Sequence, residues 1–327
     1  MKILIYGEFW QGTLPNLLLE EFHKRGKDVY KFDYSNFIPG ISKRTLIGRI
    51  KRNIFKQFYL RIIQNALLKR VNEICPQIII ICKGSEITFD TLSKIKSTGV
   101  TLVNYNPDDF FNLKVSSLEL IKSIPLYDVI ISSRDHLFEK YTKYGANRLV
   151  YLDWYYVPEL HFNRNLKQDF HASFVGSWSS RREALLMKVD VKIHIWGSGW
   201  SRSSLKFRRK HSVCNKILNQ KEMSEIFSRT KYNINLLTIE NNDKSNLRFF
   251  EVTASGGLLV TERNSFSTDM LIEGTECLMF SNVNELNDIL KSDIYTTVIA
   301  NRGTERIIKG HNAFSDRVDY LCGALNL

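Results

Sequence analysis

Residues Gln77 to Cys82 read Gln-Ile-Ile-Ile-Ile-Cys. A run of β-branched residues favours extended backbone. This one is apolar on both faces, so its strand must be covered on both sides, as in a central strand of a parallel sheet flanked by helices. Parallel neighbours need crossover connections, usually helical, and the surrounding sequence supplies them. Strand patterns at Lys2–Gly7, Asp28–Tyr34, Gln77–Lys83, Val100–Asn106, Asp128–Ser133 and Arg148–Trp154 alternate with amphipathic segments at Thr13–Gly26, Thr88–Thr98 and Arg134–Tyr144.

The alternation then starts again. His171–Ser177, Val191–Gly197, Lys231–Thr238, Gly257–Glu262 and Cys277–Ser281 read as strands, with helices at Ser179–Val189, Lys221–Arg229, Asn246–Ser255 and Asn284–Lys291. Two further helices are expected at Tyr295–Lys309 and Phe314–Leu321. Alternation of this kind specifies an α/β class with parallel sheets. At 327 residues the chain exceeds one comfortable core, so two domains are expected. The polar stretch Val157–Asp169 is the best boundary. The expected division is 1–160, 170–305, and a closing segment 306–327 that packs back towards the first domain. With 6 prolines and 17 glycines, long disordered linkers are not indicated.

Several classes are disfavoured. The opening Met1–Glu8 has too short an apolar run for a signal peptide, and no stretch approaches the roughly 18 apolar residues of a membrane span. The chain is therefore read as cytoplasmic. Cys75, Cys82, Cys214, Cys277 and Cys322 are scattered without a C-x-x-C pair, and the histidines lack metal-ligand spacing, so neither disulfides nor a metal is expected. The net charge of +12 calls for an anionic partner: nucleic acid, an acidic membrane, or a phosphorylated substrate.

Ligands of open parallel sheets bind beyond the carboxyl ends of the strands, which selects the candidates. After the first strand, Gly7, Glu8 and Gly12 form a glycine-containing loop. It lacks the G-x-G-x-x-G fingerprint, so a nicotinamide cofactor is disfavoured, and the glycines can equally serve a tight strand-to-helix turn. Asp108 and Asp109 follow the fourth strand. One can cap a following helix and the other act as a general base or acceptor contact.

In the second half, Gly176 and Ser177 precede a helix that opens with Arg181 and Arg182. Helix-terminal amides with nearby guanidinium groups suit a diphosphate. Gly197 permits another close backbone approach. The densest cluster runs from Asn241 to Gly257. Asn246 begins a helix, and Arg248 and Glu251, three apart, share its face. That pair either braces the helix or binds a donor nucleotide, Arg248 on phosphate and Glu251 on ribose hydroxyls.

At these residues the chain resembles a known family. The run NLRFFEVTASGGLLVTE (Asn246 to Glu262), followed by Leu271, Gly274, Glu276, Phe280 and Glu285-Leu286, is similar to the C-terminal domain of CgeB-like glycosyltransferases. So are FVGSWSSRRE, IWGSGW and the stretch His311 to Arg317. PQIIIICKG, NYNPDD and DVIISS resemble that family's N-terminal domain. The resemblance implies a GT-B fold: two facing Rossmann-like domains with parallel sheets, and C-terminal helices crossing back to the first. It implies a nucleotide-sugar donor held mainly by the second domain, with no cofactor and no required metal. Related group-one glycosyltransferases carry a Glu-x7-Glu motif. Asp243 and Glu251 have that spacing, with Asp243 in place of the acid nearest the sugar.

The function this implies is sugar transfer to a glycan or lipid-linked acceptor, in cell-surface polysaccharide or glycoconjugate synthesis. Other sugar-nucleotide enzymes of the same fold, an epimerase or a phosphorylase, are the alternative. Between Lys43 and Arg70 the chain holds nine cations and no acid. With Ile47, Ile50, Ile54, Phe58 and Ile62 at helical spacing, this reads as an amphipathic helix. It either packs on the sheet with a solvated basic face or lies on an anionic membrane. No helix-turn-helix or RNP-type strand accompanies the charge, so nucleic acid is not an expected partner.

Overall fold

The computed structural model describes residues 1–38, 55–237, 243–292 and 296–327. They form two compact units, Met1–Asp153 with Val318–Leu327, and Trp154–Arg317.

The first unit is built on strands β1 (Lys2–Gly7), β2 (Asp28–Asp33), β3 (Ile78–Cys82), β4 (Thr101–Tyr105), β5 (Val129–Ser132) and β6 (Leu149–Tyr151). They form a parallel sheet in the order β2-β1-β3-β4-β5-β6. Every residue of β3 is buried, as its unbroken apolar run requires. Ile79 and Ile81 join one core with Ile63 and Leu67 of the helix Lys56–Ile74 and with Leu92 and Ile95 of the helix Phe89–Lys96.

The second unit holds β7 (Phe170–Val175), β8 (His194–Trp196), β9 (Ser212–Cys214), β10 (Thr230–Asn235), β11 (Leu259–Glu262) and β12 (Leu278–Phe280). Their order is β12-β11-β10-β7-β8-β9, again parallel throughout. The chain winds outward from β7 to β9, then returns beside β7 with β10 and winds the other way. The β7–β10 junction is therefore a topological switch point, the place where open sheets of this kind bind ligands, beyond the carboxyl ends of the strands. Two apolar clusters build this unit's core, one containing Leu186, Leu286 and Ile299, the other Phe227, Phe250 and Ile307.

The α/β class with two parallel sheets is as the sequence indicates, but the boundaries differ. The second unit begins at Trp154, before the polar stretch 157–169, because that segment is bound to the unit's far end. Tyr156 N–H donates to the Asn312 carbonyl (3.2 Å) and Phe314 N–H to the Tyr156 carbonyl (2.8 Å). The Arg317 guanidinium donates to the Trp154 carbonyl from Nε (3.2 Å) and Nη2 (3.1 Å). The helix Thr296–Lys309 lies wholly in the second unit. The chain rejoins the first at Val318, within the helix Phe314–Leu325. There Arg25 holds Asp319 Oδ1 through Nε (2.8 Å) and Nη2 (2.7 Å).

β9 and the short helices Leu118–Lys122, Leu205–Lys210 and Ser265–Met270 carry no periodic signal of their own and appear only in the structure. Residues 43–54 of the basic Lys43–Arg70 stretch, together with Thr238, Asn241, Asn242 and Tyr295, lie outside the described residues. Among those described, no helix is long and apolar enough to cross a membrane.

Gly303 lets its helix meet backbone directly. A Cβ there would sit 2.2 Å from the Glu276 carbonyl oxygen, which cannot swing aside as a side chain can. Alanine would gain up to about 1 kcal/mol of helix propensity, and overpacking costs about 1–3 kcal/mol. Gly303→Ala should therefore lower the urea midpoint, and a raised midpoint would show that the contact relaxes freely.

Candidate functional site

The carboxyl ends of β7 and β8 are bound together by backbone. Gly176 N–H donates to the Trp196 carbonyl (2.9 Å) and Trp178 N–H to that of Ser198 (2.8 Å). Trp200 Nε1–H reaches the Gly176 carbonyl at 2.8 Å. Gly197 has φ +142°, and a Cβ would stand 2.0 Å from the Gly176 oxygen. Only glycine fits there. The two loops are thus held together, partly buried, beside the switch point.

Across the junction lies the helix Leu247–Ala254. Its N-cap, Asn246, accepts from Phe249 N–H (3.2 Å) and donates Nδ2–H to Asn235 Oδ1 (3.0 Å), at the carboxyl end of β10. Asn235 continues to Thr261 on β11 (3.2 Å). Asn246 therefore spends its side chain fixing the helix to the sheet.

Two residues on, Arg248 donates from Nε to the Val175 carbonyl (3.1 Å) and from Nη1 to Glu251 Oε2. Nη2 makes no hydrogen bond to a described residue. Burial, with the charge of nearby Arg182 second, pulls the Arg248 pKa down to about 10, which leaves it charged at neutral pH. Glu251 is 1% exposed. Its other oxygen faces His161 Nε2 at 3.8 Å.

His161 was not singled out by its sequence, where it is one histidine in a polar stretch. Its Nδ1 accepts from Val157 N–H (3.0 Å), so Nε2 carries the proton and meets Gln220 Oε1 at 3.0 Å. Burial above all, aided by the Arg248 and Arg164 guanidinium groups, holds its pKa at about 4. It stands beside Glu251 as a neutral N–H donor.

Arg181 and Arg182 turn mainly to protein. Arg181 donates from Nη1 to the Leu237 carbonyl (3.0 Å) and from Nη2 to Glu262 Oε1. Glu262 Oε2 also accepts Leu237 N–H (2.6 Å). Arg182 donates from Nη1 to the Ser177 carbonyl (2.9 Å) and from Nη2 to that of Leu236 (3.1 Å). Both arginines brace the residues that leave β10. Asp243 is half-buried at the far side of the undescribed residues 238–242.

The first unit carries the other candidates. A Cβ on Gly7 would lie 2.3 Å from Pro15 Cγ, so this glycine serves helix packing. Gly12 has φ +81°, and Thr13 Oγ1 closes the loop on the Glu8 carbonyl (3.0 Å). Asp109 Oδ1 accepts Phe111 N–H (2.8 Å) and so caps a turn rather than a helix. Asp108 is left to pair with Lys83 Nζ at 2.6 Å. Lys83 has φ +64°, with its carbonyl held by Asn104 Nδ2 (3.1 Å). Buried Arg134 donates to the Pro107 carbonyl beside this pair. Lys83 and Arg134 had no sequence signal beyond following their strands.

Residues 180–323 match the family described as Glycosyl transferase-like. No curated protein matches the chain in sequence. Among solved structures, sucrose-phosphate synthase from Thermosynechococcus elongatus is similar at TM-score 0.69 and 12% identity, over 99% of this chain and 98% of that one. HepE from Anabaena, in complex with UDP and glucose, is similar at TM-score 0.66 and 10% identity over 100% of both chains. A DNA-modifying β-glucosyltransferase gives TM-score 0.63 and 17% identity, also over 100% of both. Likeness at such identities shows the fold, and the fold is GT-B.

Buried neutral histidines make stability depend on pH. His211, held between Ile193 N–H (3.2 Å) and the Leu186 carbonyl (3.0 Å), is pushed by burial to about 4, like His161. The unfolded chain, with histidine near 6.5, binds the extra protons first. Their contribution is present above pH ~6.5 and lost as pH falls towards ~4. The melting temperature should fall from pH 7 to pH 5, and fall less in His161→Gln. An equal slope in that variant would refute the role given to His161.

Proposed function

We propose that this GT-B protein is a glycosyltransferase. It moves a sugar from a nucleotide-sugar donor to a glycan or lipid-linked acceptor, in cell-surface polysaccharide or glycoconjugate synthesis, and belongs to the CgeB-like branch that its sequence resembles. The observation that carries this reading is the Arg248–Glu251 pair at the switch point of a parallel sheet, with Arg182 close enough to repel Arg248. A second guanidinium this near adds positive charge at the pair, which an anion can neutralise. A diphosphate has the charge and the size.

Arg248 then takes the diphosphate through Nη2, which its other bonds hold in place. Glu251 accepts from the ribose: a carboxylate offers about four lone-pair sites, and Arg248 uses one. Backbone at Ser177 and Gly197 supplies further donors near the phosphates, while the Gly176 N–H holds the two loops together. Asp243, which precedes Glu251 at the motif spacing, takes the sugar side, and Asp108, oriented by Lys83, serves as base or acceptor contact. The cationic side chains take the charge-neutralising part, so no metal and no cofactor is invoked. The HepE structures hold UDP, glucose or UDP-glucose, and the β-glucosyltransferase acts with uridine diphosphoglucose, which makes UDP the first donor fragment to try. The enzyme would work in the cytoplasm at the inner face of the membrane, where the basic Lys43–Arg70 segment could meet anionic lipid.

Calorimetric titration with a panel of nucleoside diphosphates, UDP included, tests this. Losing a hydrogen bond to a charged group costs about 1.5–3 kcal/mol, so Glu251→Gln should weaken binding roughly tenfold to a hundredfold. Arg248→Ala should weaken the diphosphate far more than the bare nucleoside, and Asp108→Asn should leave donor affinity unchanged while turnover falls. If the variants only melt earlier, with affinity per folded molecule intact, the pair merely braces the helix and the assignment fails.

A further inference from the structure

The helix Leu205–Lys210 in the second unit is held by one face only. Ser204 caps it, accepting Phe207 N–H at 3.2 Å. Phe207 is fully buried and stacks on Trp200 with centroids 5.4 Å apart and planes 12° apart. That contact turns the opposite face to solvent. Leu205 is 67% exposed there, and Lys206, Arg208 and Arg209 are exposed around it, with exposed Arg202 just upstream. Leu205 shares a helix face with Arg208 and Arg209, three and four residues on.

The charge is not compensated locally. From Ser201 to Lys216 the chain has no acidic residue. Lys216 pairs with Glu222 at 2.6 Å, and Lys210 Nζ donates to the Met187 carbonyl at 2.8 Å. Glu183 lies near Arg208 but is spent on Trp178 Nε1–H (2.7 Å) and Ser204 N–H (2.8 Å). Lys206 and Arg209 form no ion pair with a described residue, and neither does Arg208 within bonding distance. Three adjacent cations around a bare leucine are unfavourable by themselves and favourable against an anionic partner that also accepts an apolar side chain.

We propose that this helix face docks on an anionic lipid surface, with Leu205 entering the headgroup–acyl boundary and Arg202, Lys206, Arg208 and Arg209 meeting lipid phosphates. Interfacial helices join a basic rim to an apolar residue in this way. Nucleic acid fits less well. Single-strand binders stack bases on exposed aromatics, whereas Trp200 and Phe207 lie fully in the core. Nor does a duplex backbone reward an exposed leucine. The surface is separate in sequence from Lys43–Arg70, and it stands whether or not the nucleotide assignment does.

The test is co-sedimentation of the full chain with phosphatidylcholine vesicles, with and without phosphatidylglycerol, at low and high salt. A basic residue near an anionic surface is worth about 1 kcal/mol, or about fivefold in affinity. The wild type should bind only the phosphatidylglycerol vesicles and release with salt. R208E/R209E should lose at least about twentyfold, and R208K/R209K should retain binding. Leu205→Ser should weaken the binding that survives at high salt. Unchanged melting temperature in each variant shows that the fold is intact. Wild type that ignores the anionic vesicles overturns the proposal. So does R208E/R209E binding like wild type while charge reversal within Lys43–Lys56 abolishes binding, which places the contact elsewhere. Duplex DNA binding more tightly than the vesicles, and lost in R208E/R209E, overturns it in favour of nucleic acid.

Discussion

The carboxylate of Glu251 is almost removed from water, and the edge of the second unit is arranged around it. An ionised group so buried costs several kcal/mol unless paired, and removing its partner typically costs about 3–5 kcal/mol. Arg248 meets one oxygen and the neutral N–H of His161 faces the other. The same guanidinium holds the Val175 carbonyl, so one side chain ties the helix Leu247–Ala254 to the end of β7. Asn246 ties that helix to Asn235 of β10. The helix is thereby fixed to both strands that border the switch point. A site held like this loses little side-chain entropy when an anion arrives.

The arginines divide the work. Arg181 and Arg182 are anchored on the carbonyls of Leu237 and Leu236 and set where the chain leaves β10. Their charge still acts at the junction, because Coulomb interaction does not require contact. In the first unit the division is between carboxylates. Asp109 is occupied by the turn at Phe111, and Asp108, steadied by Lys83, is the one with a polar partner at the edge of the sheet. Lys83 holds a left-handed conformation that is uncommon outside glycine and is often kept for function.

What was legible in the sequence follows from range. The run Ile78–Cys82 reports its own burial, and the repeated strand–helix alternation reports two sheets, because both are local patterns. Arg248 and Glu251 are one helical turn apart, so their contact could be read from spacing. His161 could not: its partners Gln220 and Glu251 lie far along the chain, and an isolated histidine in a polar stretch carries no periodicity. The partner of Arg181 was hidden for the same reason, since Glu262 ends a strand that only the sheet order brings near. The unit boundary moved because Trp154–Tyr156 is claimed by Asn312, Phe314 and Arg317, which no composition shift records. β9 is three residues with little apolar pattern, and only its pairing with β8 defines it.

Amide hydrogen exchange of the full chain, with and without the nucleoside diphosphate that raises its melting temperature most, probes the switch point directly. Slowed exchange should concentrate at Gly176–Arg182, Gly197–Trp200 and Asn246–Glu251, the backbone that borders β7 and β10 at their carboxyl ends. Unchanged exchange in those three segments, or slowing confined to the first unit, would contradict a nucleotide site built on Arg248 and Glu251.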